Sequence, residues 1–447
     1  MRWKSQTLTG WGRSSQATVE AARPERSADI ATLLAEPAGH GLIAHGGGRS
    51  YGDVALNDGG RVLLTERLDR LVAFDPKSGE LVCEPGVTFA ELMRVFLPRG
   101  YAVPVTPGTA FATIGGAVAT DVHGKNHDRA GGFGDQVAWL ELVLASGETV
   151  RASPTERPEL FAATIGGMGL TGIIVAICFR LVRVPSRSLQ VEERRIGDLD
   201  GFFAAFDEVR DTATFSVGWI DALARGRRLG RGILETADHA EADTGPAAPD
   251  RAHRVPFDLP GMALNSVTVA AFNAAYYRRV PAAGRRSVMP AERFFYPLDA
   301  IEDWNRLYGR RGFYQFQCVI PEAGARDGIR LVLEAAAAAR GASFLAVLKT
   351  LGGEGRGLLS FPLRGHTLAI DFPRRSGIEE FFEEFERIVL DHGGRVYAAK
   401  DALVSPEGFA RMYPRLAEFR AILAEADPQG RFRSDLARRL GIVGERS

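Results

Sequence analysis

Three consecutive glycines, Gly46, Gly47 and Gly48, stand one residue, His45, behind the apolar Leu42-Ile43-Ala44 of a predicted strand. Few folds have a use for them. With only hydrogen on each Cα, successive backbone N–H groups can converge on an anion that a side chain would keep away. The cluster continues as Arg49-Ser50-Tyr51-Gly52-Asp53, and a second one follows as Pro107-Gly108-Thr109-Ala110-Phe111-Ala112-Thr113-Ile114-Gly115-Gly116-Ala117. Either alone reads as a tight turn, whereas two such loops suit a pyrophosphate.

The surroundings decide which nucleotide folds remain. A literal GxGxxG occurs at Gly167-Met168-Gly169-Leu170-Thr171-Gly172, but a helix precedes it and the β-branched run IIVAICF follows, the reverse of the dinucleotide fingerprint. No GxxxxGK[ST] or HExxH is present, which removes the simplest routes to a P-loop NTPase or a zincin. From about residue 27 to 185, short apolar runs alternate with glycine turns and predict a strand-rich region. Short helices are expected from Thr88 and over ERPELFAATIGG, the latter ending at Gly166-Gly167. The pattern changes between 186 and about 215, where a second domain begins. Arg225 to Pro260 carries little apolar periodicity and includes EADTGPAAPD, so a mobile loop is expected there. GIEEFFEEFERIVL, from Gly377, predicts an amphipathic surface helix. No repeat of fixed period occurs.

Only five of the 55 basic residues are lysine: Lys4, Lys77, Lys125, Lys349 and Lys400. In a chain so biased toward arginine, a retained lysine marks a position where a compact, titratable cation is needed. Lys125 lies in His123-Gly124-Lys125-Asn126-His127, four chemically useful side chains around one glycine. His123 and His127 have the i,i+4 spacing of metal ligands, but the glycine between them and the lack of a third ligand nearby favour a polar pocket wall. Lys400 closes Tyr397-Ala398-Ala399-Lys400, after a predicted strand.

Composition excludes several classes. Acidic residues also number 55, so the net charge is +0 and nucleic acid is not an expected partner. No apolar run approaches the roughly 20 residues of a spanning helix, and no apolar h-region follows the basic N-terminus, which leaves a cytoplasmic location as the default. Cys83, Cys178 and Cys318 are odd in number and widely spaced, against a disulfide framework or a structural zinc.

In order along the chain, GGGRSYGD, TPGTAFATIGGAVATDVHGKNH, GGMGLTGII, YPLDAIEDWNR, YQFQ, YAAKD and SDLARRL resemble the flavin-dependent decaprenylphosphoryl-β-D-ribose oxidases. These belong to the vanillyl-alcohol oxidase and p-cresol methylhydroxylase superfamily. The resemblance spans nearly the whole chain and is weakest over 225–265. It implies an α+β fold in three segments: a two-lobed FAD-binding domain over 1–187, a substrate domain with an antiparallel sheet over 188–394, and a segment 395–447 that completes the FAD domain. It further implies FAD binding by Gly46, Gly47, Gly48, Arg49, Ser50, Tyr51, Pro107, Gly108, Thr109, Thr113, Ile114, Gly115, Gly116, Ala119, His123, Gly124, Asn126, His127, Gly172, Ile173, Ile174, Tyr397 and Lys400. Lys125, Lys349, Gln315, Gln317 and Trp219 would bind the sugar and its phosphate. Superfamily members that tether FAD covalently often carry histidine where this chain has Arg49, so non-covalent FAD is expected.

The family reaction moves hydride from C2 of a lipid-linked ribose to the flavin, giving a 2-keto sugar, the first half of an epimerisation to arabinose. On this resemblance Lys400 stabilises negative charge on the reduced flavin, and Lys400, His123 and Tyr51 form the catalytic set, with His123 as the candidate base. Implied partners are a lipid-linked sugar phosphate, a short-chain reductase that finishes the product, quinone or oxygen as electron acceptor, and a peripheral membrane contact on the cytoplasmic or periplasmic side. Two departures change the pocket: Ala369 replaces a cysteine of the mycobacterial members, and Phe295 a tyrosine. The alternatives are a soluble alditol or aldonolactone oxidase of the same superfamily and a non-catalytic FAD-bound partner of a reductase.

Overall fold

A computed structural model of the protein describes residues 2–243, 253–261, 263–339, 341 and 343–444. The N-terminal sheet has the order Lys4–Thr9, Gln16–Ala22, Arg61–Leu64, Leu42–His45, antiparallel in its first pair and parallel in the others. Gln16–Ala22 alternates exposed and buried residues because only one face of the sheet is covered. The helix Ala28–Ala35 covers part of it, and its Ile30, Leu33 and Leu34 pack with Leu42 and Leu63. A five-stranded antiparallel sheet follows, in the order Leu71–Phe74, Glu80–Cys83, Ile173–Arg180, Val137–Val143, Thr149–Ala152. The IIVAICF run is its central strand, buried on both faces, which explains why it shows no polar alternation.

The helix expected from Thr88 spans Phe89–Phe96. Thr88 caps it by accepting from the Glu91 N–H, while the Thr88 N–H donates to the Glu91 carboxylate. The helix before the GxGxxG spans Pro158–Thr164.

The third sheet has eight strands, in the order Arg285–Pro290, Ser188–Ile196, Gly232–His239, Phe215–Ile220, Ala346–Leu351, Gly365–Pro373, Phe313–Pro321, Arg395–Val396. Phe313–Pro321 and Gly365–Pro373 pair antiparallel over their full length, placing Gln315 opposite Asp371 and Gln317 opposite Ala369. Side chains alternate across this pair. Tyr314, Phe316, Cys318 and Ile320 meet Leu368, Ile370 and Phe372 in a core shared with the helices Glu322–Ala339 and Ile378–Asp391. The second helix is the expected amphipathic one, and it buries Ile378, Phe382, Phe385, Ile388 and Val389. The opposite face of the sheet is left for polar residues.

One expectation needs correcting. The stretch 225–260 is not a single mobile loop, because Gly232–His239 runs through the middle of the large sheet, with Trp219 opposite Ile233 and Val191 opposite Ala237. This strand draws its packing from neighbours on both sides, so its own few apolar residues leave no local periodicity. Residues 244–252 of that stretch lie outside the described residues.

The C-terminal segment returns to the first sheet. The Leu42 N–H donates to the Arg431 carbonyl at 2.8 Å and the Arg433 N–H to the Leu42 carbonyl at 3.0 Å. Beyond it, the short helix Asp435–Arg439 delivers Arg439 to two buried carboxylates. Its guanidinium donates to Asp53 at 2.9 and 3.0 Å and to Asp401 at 2.9 Å. Burial pushes the Asp53 carboxyl up, and Arg439 opposes that shift. Removing one partner from a buried cluster strands the others, at about 3–5 kcal/mol. Arg439→Met is therefore expected to lower unfolding stability by about that amount in urea titrations, whereas an exposed control such as Arg387→Met changes it by less than about 0.5 kcal/mol.

Candidate active site

The two glycine loops touch each other. A side chain at Gly46 would collide with Thr113 Oγ1, and one at Gly47 would bring its Cβ to 2.6 Å from the Phe111 carbonyl oxygen. Gly48 sits in the left-handed region at φ +64, which glycine adopts without strain. Among the described residues nothing accepts the backbone N–H groups of 46–50. The touching loops and their unused donors form a cradle suited to a phosphate anion.

This cradle is one end of a cavity of about 1090 Å³. Gly46, Gly47, Gly48, Arg49, Ser50, Tyr51, Pro107, Gly108, Thr109, Thr113, Gly115, Gly116, Ala119, His123, Gly124, Gly172, Ile174, Tyr397 and Lys400 all line it. So do Lys125, Trp219, Gln315, Gln317 and Lys349, together with Ala369 and Phe295. Four sequence-predicted positions do not. Ile114 and Ile173 are wholly buried in separate apolar clusters. Asn126 donates to the Pro104 carbonyl at 2.8 Å, and His127 Nδ1 accepts the Gly352 N–H at 3.2 Å. Both side chains brace the wall from behind, so in HGKNH the polar residues divide between lining and support.

Three lysines converge on this cavity from three parts of the chain. Lys125 Nζ donates to the Phe294 carbonyl at 2.5 Å and lies 4.0 Å from the centroid of the Phe294 ring. Burial lowers its ammonium to about 8, with Glu235 opposing. Lys349, on Ala346–Leu351, is lowered to about 7 by burial and by the charge of Lys125. Lys400 is also lowered to about 7, by burial first, with Asp371 opposing and Lys349 reinforcing the shift. Its Nζ stands 3.7 Å from the Tyr51 ring centroid, a cation–π contact. Desolvation lowers all three, and a neighbouring lysine adds to the shift at Lys349 and Lys400, so an anionic ligand would favour their protonated forms.

His123 faces the same space. The Gln317 amide nitrogen donates to His123 Nε2 at 2.9 Å and to Thr367 Oγ1 at 3.2 Å, which puts the imidazole proton on Nδ1. Burial, with Lys349, His127 and Lys400 nearby, holds His123 well below the usual imidazole range. The ring is neutral, with its lone pair directed at the Gln317 amide.

Asp371 is a site residue that motif reading passed over. It is fully buried opposite Gln315, whose amide donates to Oδ1 at 2.5 Å, while the Tyr308 hydroxyl donates to Oδ2 at 3.0 Å. Burial pushes its carboxyl up to about 7, against Gln315, Tyr308 and Lys400. The only signal for it was a carboxylate at an inward position of HTLAID, opposite the glutamine in YQFQ. Elsewhere on the wall, Arg49 stacks on Trp11 and Phe111, 4.3 and 5.1 Å from their centroids, and Trp219 Nε1 donates to the Phe344 carbonyl at 2.9 Å. Among the described residues no group of three His, Cys, Asp or Glu could hold a metal.

Comparison with known proteins agrees with a flavin site. Residues 19–153 match the FAD binding domain family, and residues 367–440 match the D-arabinono-1,4-lactone oxidase family. The chain is 36% identical over 454 residues to the decaprenylphosphoryl-β-D-ribose oxidase of Mycolicibacterium smegmatis, covering 98% of this chain and 97% of that one. It is 27% identical to the alditol oxidase of a Streptomyces species, covering 98% and 99%. To the D-arabinono-1,4-lactone oxidase of Yarrowia lipolytica it is 28% identical, over 39% of this chain and 33% of that one.

The Asp371–Lys400 pair generates a signed prediction. Asp371 raises the affinity of Lys400 for its proton, so Asp371→Asn removes that support and the Lys400 charge is lost at lower pH than in the wild type. Flavin reduction measured against pH in single turnovers is expected to keep its low-pH rate and to lose it at least about half a pH unit earlier. An unchanged profile would mean that the two groups are uncoupled.

Proposed function

Because the chain belongs to the family of FAD-dependent decaprenylphosphoryl-β-D-ribose oxidases, we propose that it oxidises the C2 hydroxyl of a polyprenyl-phosphoryl ribose, or a close lipid-linked relative, to the 2-keto sugar. FAD is its cofactor and a sugar hydroxyl its target class. The convergence of Lys125, Lys349 and Lys400 on one cavity, beside an anion cradle, carries the finer reading. A free alditol requires no cation pair, whereas a phosphoryl sugar requires at least one.

When bound, FAD supplies the two-electron acceptor. The protein's part is orientation, charge and the proton. The N–H groups of 46–50 would hold the cofactor's pyrophosphate, with the touching loop 107–113 beside them. Lys125 and Lys349 bind the substrate phosphate, whose negative charge favours the protonated form that burial disfavours in both. Lys400 would offer its positive charge to the negative charge that develops on the reduced cofactor, with Asp371 helping to keep that charge in place. The sugar hydroxyl takes the position of the Gln317 amide and gives its proton to His123 Nε2, which burial has kept unprotonated. Gln317 and Gln315 then orient the remaining sugar oxygens. On this reading the electrons pass to a quinone or to oxygen, and a separate short-chain reductase consumes the 2-keto product.

Two outcomes follow. Lys349→Ala is expected to raise KM for a phosphoryl-ribose substrate by about tenfold to a hundredfold, the worth of a charge-assisted hydrogen bond, with a much smaller change in kcat. An effect on kcat alone would remove Lys349 from phosphate binding. In the free wild-type enzyme kcat/KM falls as pH rises through about 7 to 8, because Lys349 and then Lys125 lose their charge.

Arg49 cannot form the histidyl bond of tethered relatives and is already packed between two rings. Acid precipitation is therefore expected to release FAD, leaving the mass of the bare polypeptide. A flavin adduct in that spectrum would overturn the non-covalent assignment.

A further inference from the structure

The helix Ser266–Arg278 buries Val269 on its inward side yet presents further apolar residues to water. Its inward side is anchored by Asn273, which is wholly buried and donates to Asp221 at 2.7 Å. Its outward stripe is apolar. Val267, Ala270, Ala271 and Ala274 recur at helical spacing and end at Arg278, with Ala275 and Phe272 alongside. Val267 is 75% exposed and Phe272 47%. Contiguous exposed apolar surface on a helix costs solubility unless something covers it.

Three observations say what the cover is. From Val255 to Tyr277 the only charged residue is Asp258, and Arg13 neutralises it at 2.5 Å. The borders of the stripe are basic. Arg278 ends the helix, Arg310 and Arg311 follow Gly309, which packs on Leu259, and Arg375 donates to the Leu264 carbonyl just before the helix. Among the described residues Arg278, Arg311 and Arg375 form no ion pair with a carboxylate, and Arg310 acts only at longer range on Asp258, which Arg13 already holds. Finally, the helix forms one wall of the active-site cavity, through Thr268, Val269, Phe272 and Tyr276. That wall continues in an apolar, aromatic lining of Phe344, Leu345 and Trp219, where Phe272 lies 5.4 Å from Phe344 and Tyr276 lies 4.7 Å from Trp219.

We propose that Ser266–Arg278 is an interfacial helix that seats the enzyme on an anionic lipid bilayer, with the apolar stripe in the acyl boundary and the flanking arginines at the phosphates. An apolar helix face with basic borders is the chemistry of such attachment, and a second protein would be expected to match the stripe without needing the cationic frame. The placement gives a lipid tail a path from the bilayer along Phe272 and Tyr276 into the cavity. In that respect the proposal deepens the lipid-linked substrate reading, but it is tested by binding alone and stands or falls independently of it.

The test is co-sedimentation of the flavin-loaded protein with phosphatidylcholine vesicles, with and without phosphatidylglycerol. The wild type is expected to pellet with the anionic vesicles, less as salt is raised. Val267→Glu combined with Ala271→Glu, neither of which lines the cavity, is expected to bind at least about tenfold more weakly while its flavin spectrum stays unchanged. Arg310→Glu combined with Arg311→Glu is expected to weaken binding to the anionic vesicles only. A wild type that stays in the supernatant, or a Val267 and Ala271 variant that pellets equally well, would overturn the proposal. So would a wild-type dimer that the same variant splits into monomers, since a second copy of the chain would then own the face. None of these results alters the assignment of the phosphate-binding lysines, which rests on KM.

Discussion

Arg439 holds the site together from the far end of the chain. By bonding Asp53 and Asp401 at once, it fastens the first glycine loop to the turn that carries Lys400. The junction is tight: a side chain at Gly52 would strike the Asp401 carbonyl, and the Tyr51 N–H donates to the Ala399 carbonyl at 3.2 Å. Anion cradle and cation therefore move as one body, although roughly 350 residues separate them in sequence. A bound flavin would have its phosphates and its electron-accepting ring referred to the same rigid junction, which is the preorganisation that electrostatic catalysis requires.

The large sheet supplies the opposing wall by the simplest property of a strand. Alternation sends Phe316, Cys318, Leu368 and Ile370 into the helical layer and leaves Gln315, Gln317 and Ala369 for the cavity, with Asp371 buried behind Gln315. Because the sheet is covered on one side and faces the cofactor lobe on the other, its polar residues are desolvated without being deep in a core. Desolvation then does most of the electrostatic tuning, as it is the largest influence on Lys125, Lys349, Lys400, His123 and Asp371 alike. The result is a set of amines and a neutral imidazole poised near or below neutral pH, in a place built to receive negative charge.

Much of this was legible in the sequence where the signal was local. The glycine loops declared themselves by composition, HGKNH by density, and the three lysines by surviving an arginine-rich background. The rest depends on contacts between distant segments. Asp371 reads as one polar residue in an ordinary strand until Gln315 and Lys400 are brought to it. Gly232–His239 reads as loop because neighbouring strands supply its packing. Asn126 and His127 sit in the most distinctive motif of the chain yet face away from the cavity, since they open the helical turn His127–Ala130 and bond Pro104 and Gly352 behind the wall. The apolar stripe of Ser266–Arg278 was invisible for a different reason: the helix is apolar on its buried and exposed sides alike, so its sequence singles out no face.

The central claim is that one cavity joins a dissociable flavin to a cationic site for a phosphoryl sugar. Its most direct test is the visible spectrum of the FAD-loaded protein, followed anaerobically as a polyprenyl-phosphoryl ribose is added. The account predicts that the flavin band bleaches. A band that persists with this substrate but bleaches with a free alditol would contradict it and give the three lysines another purpose.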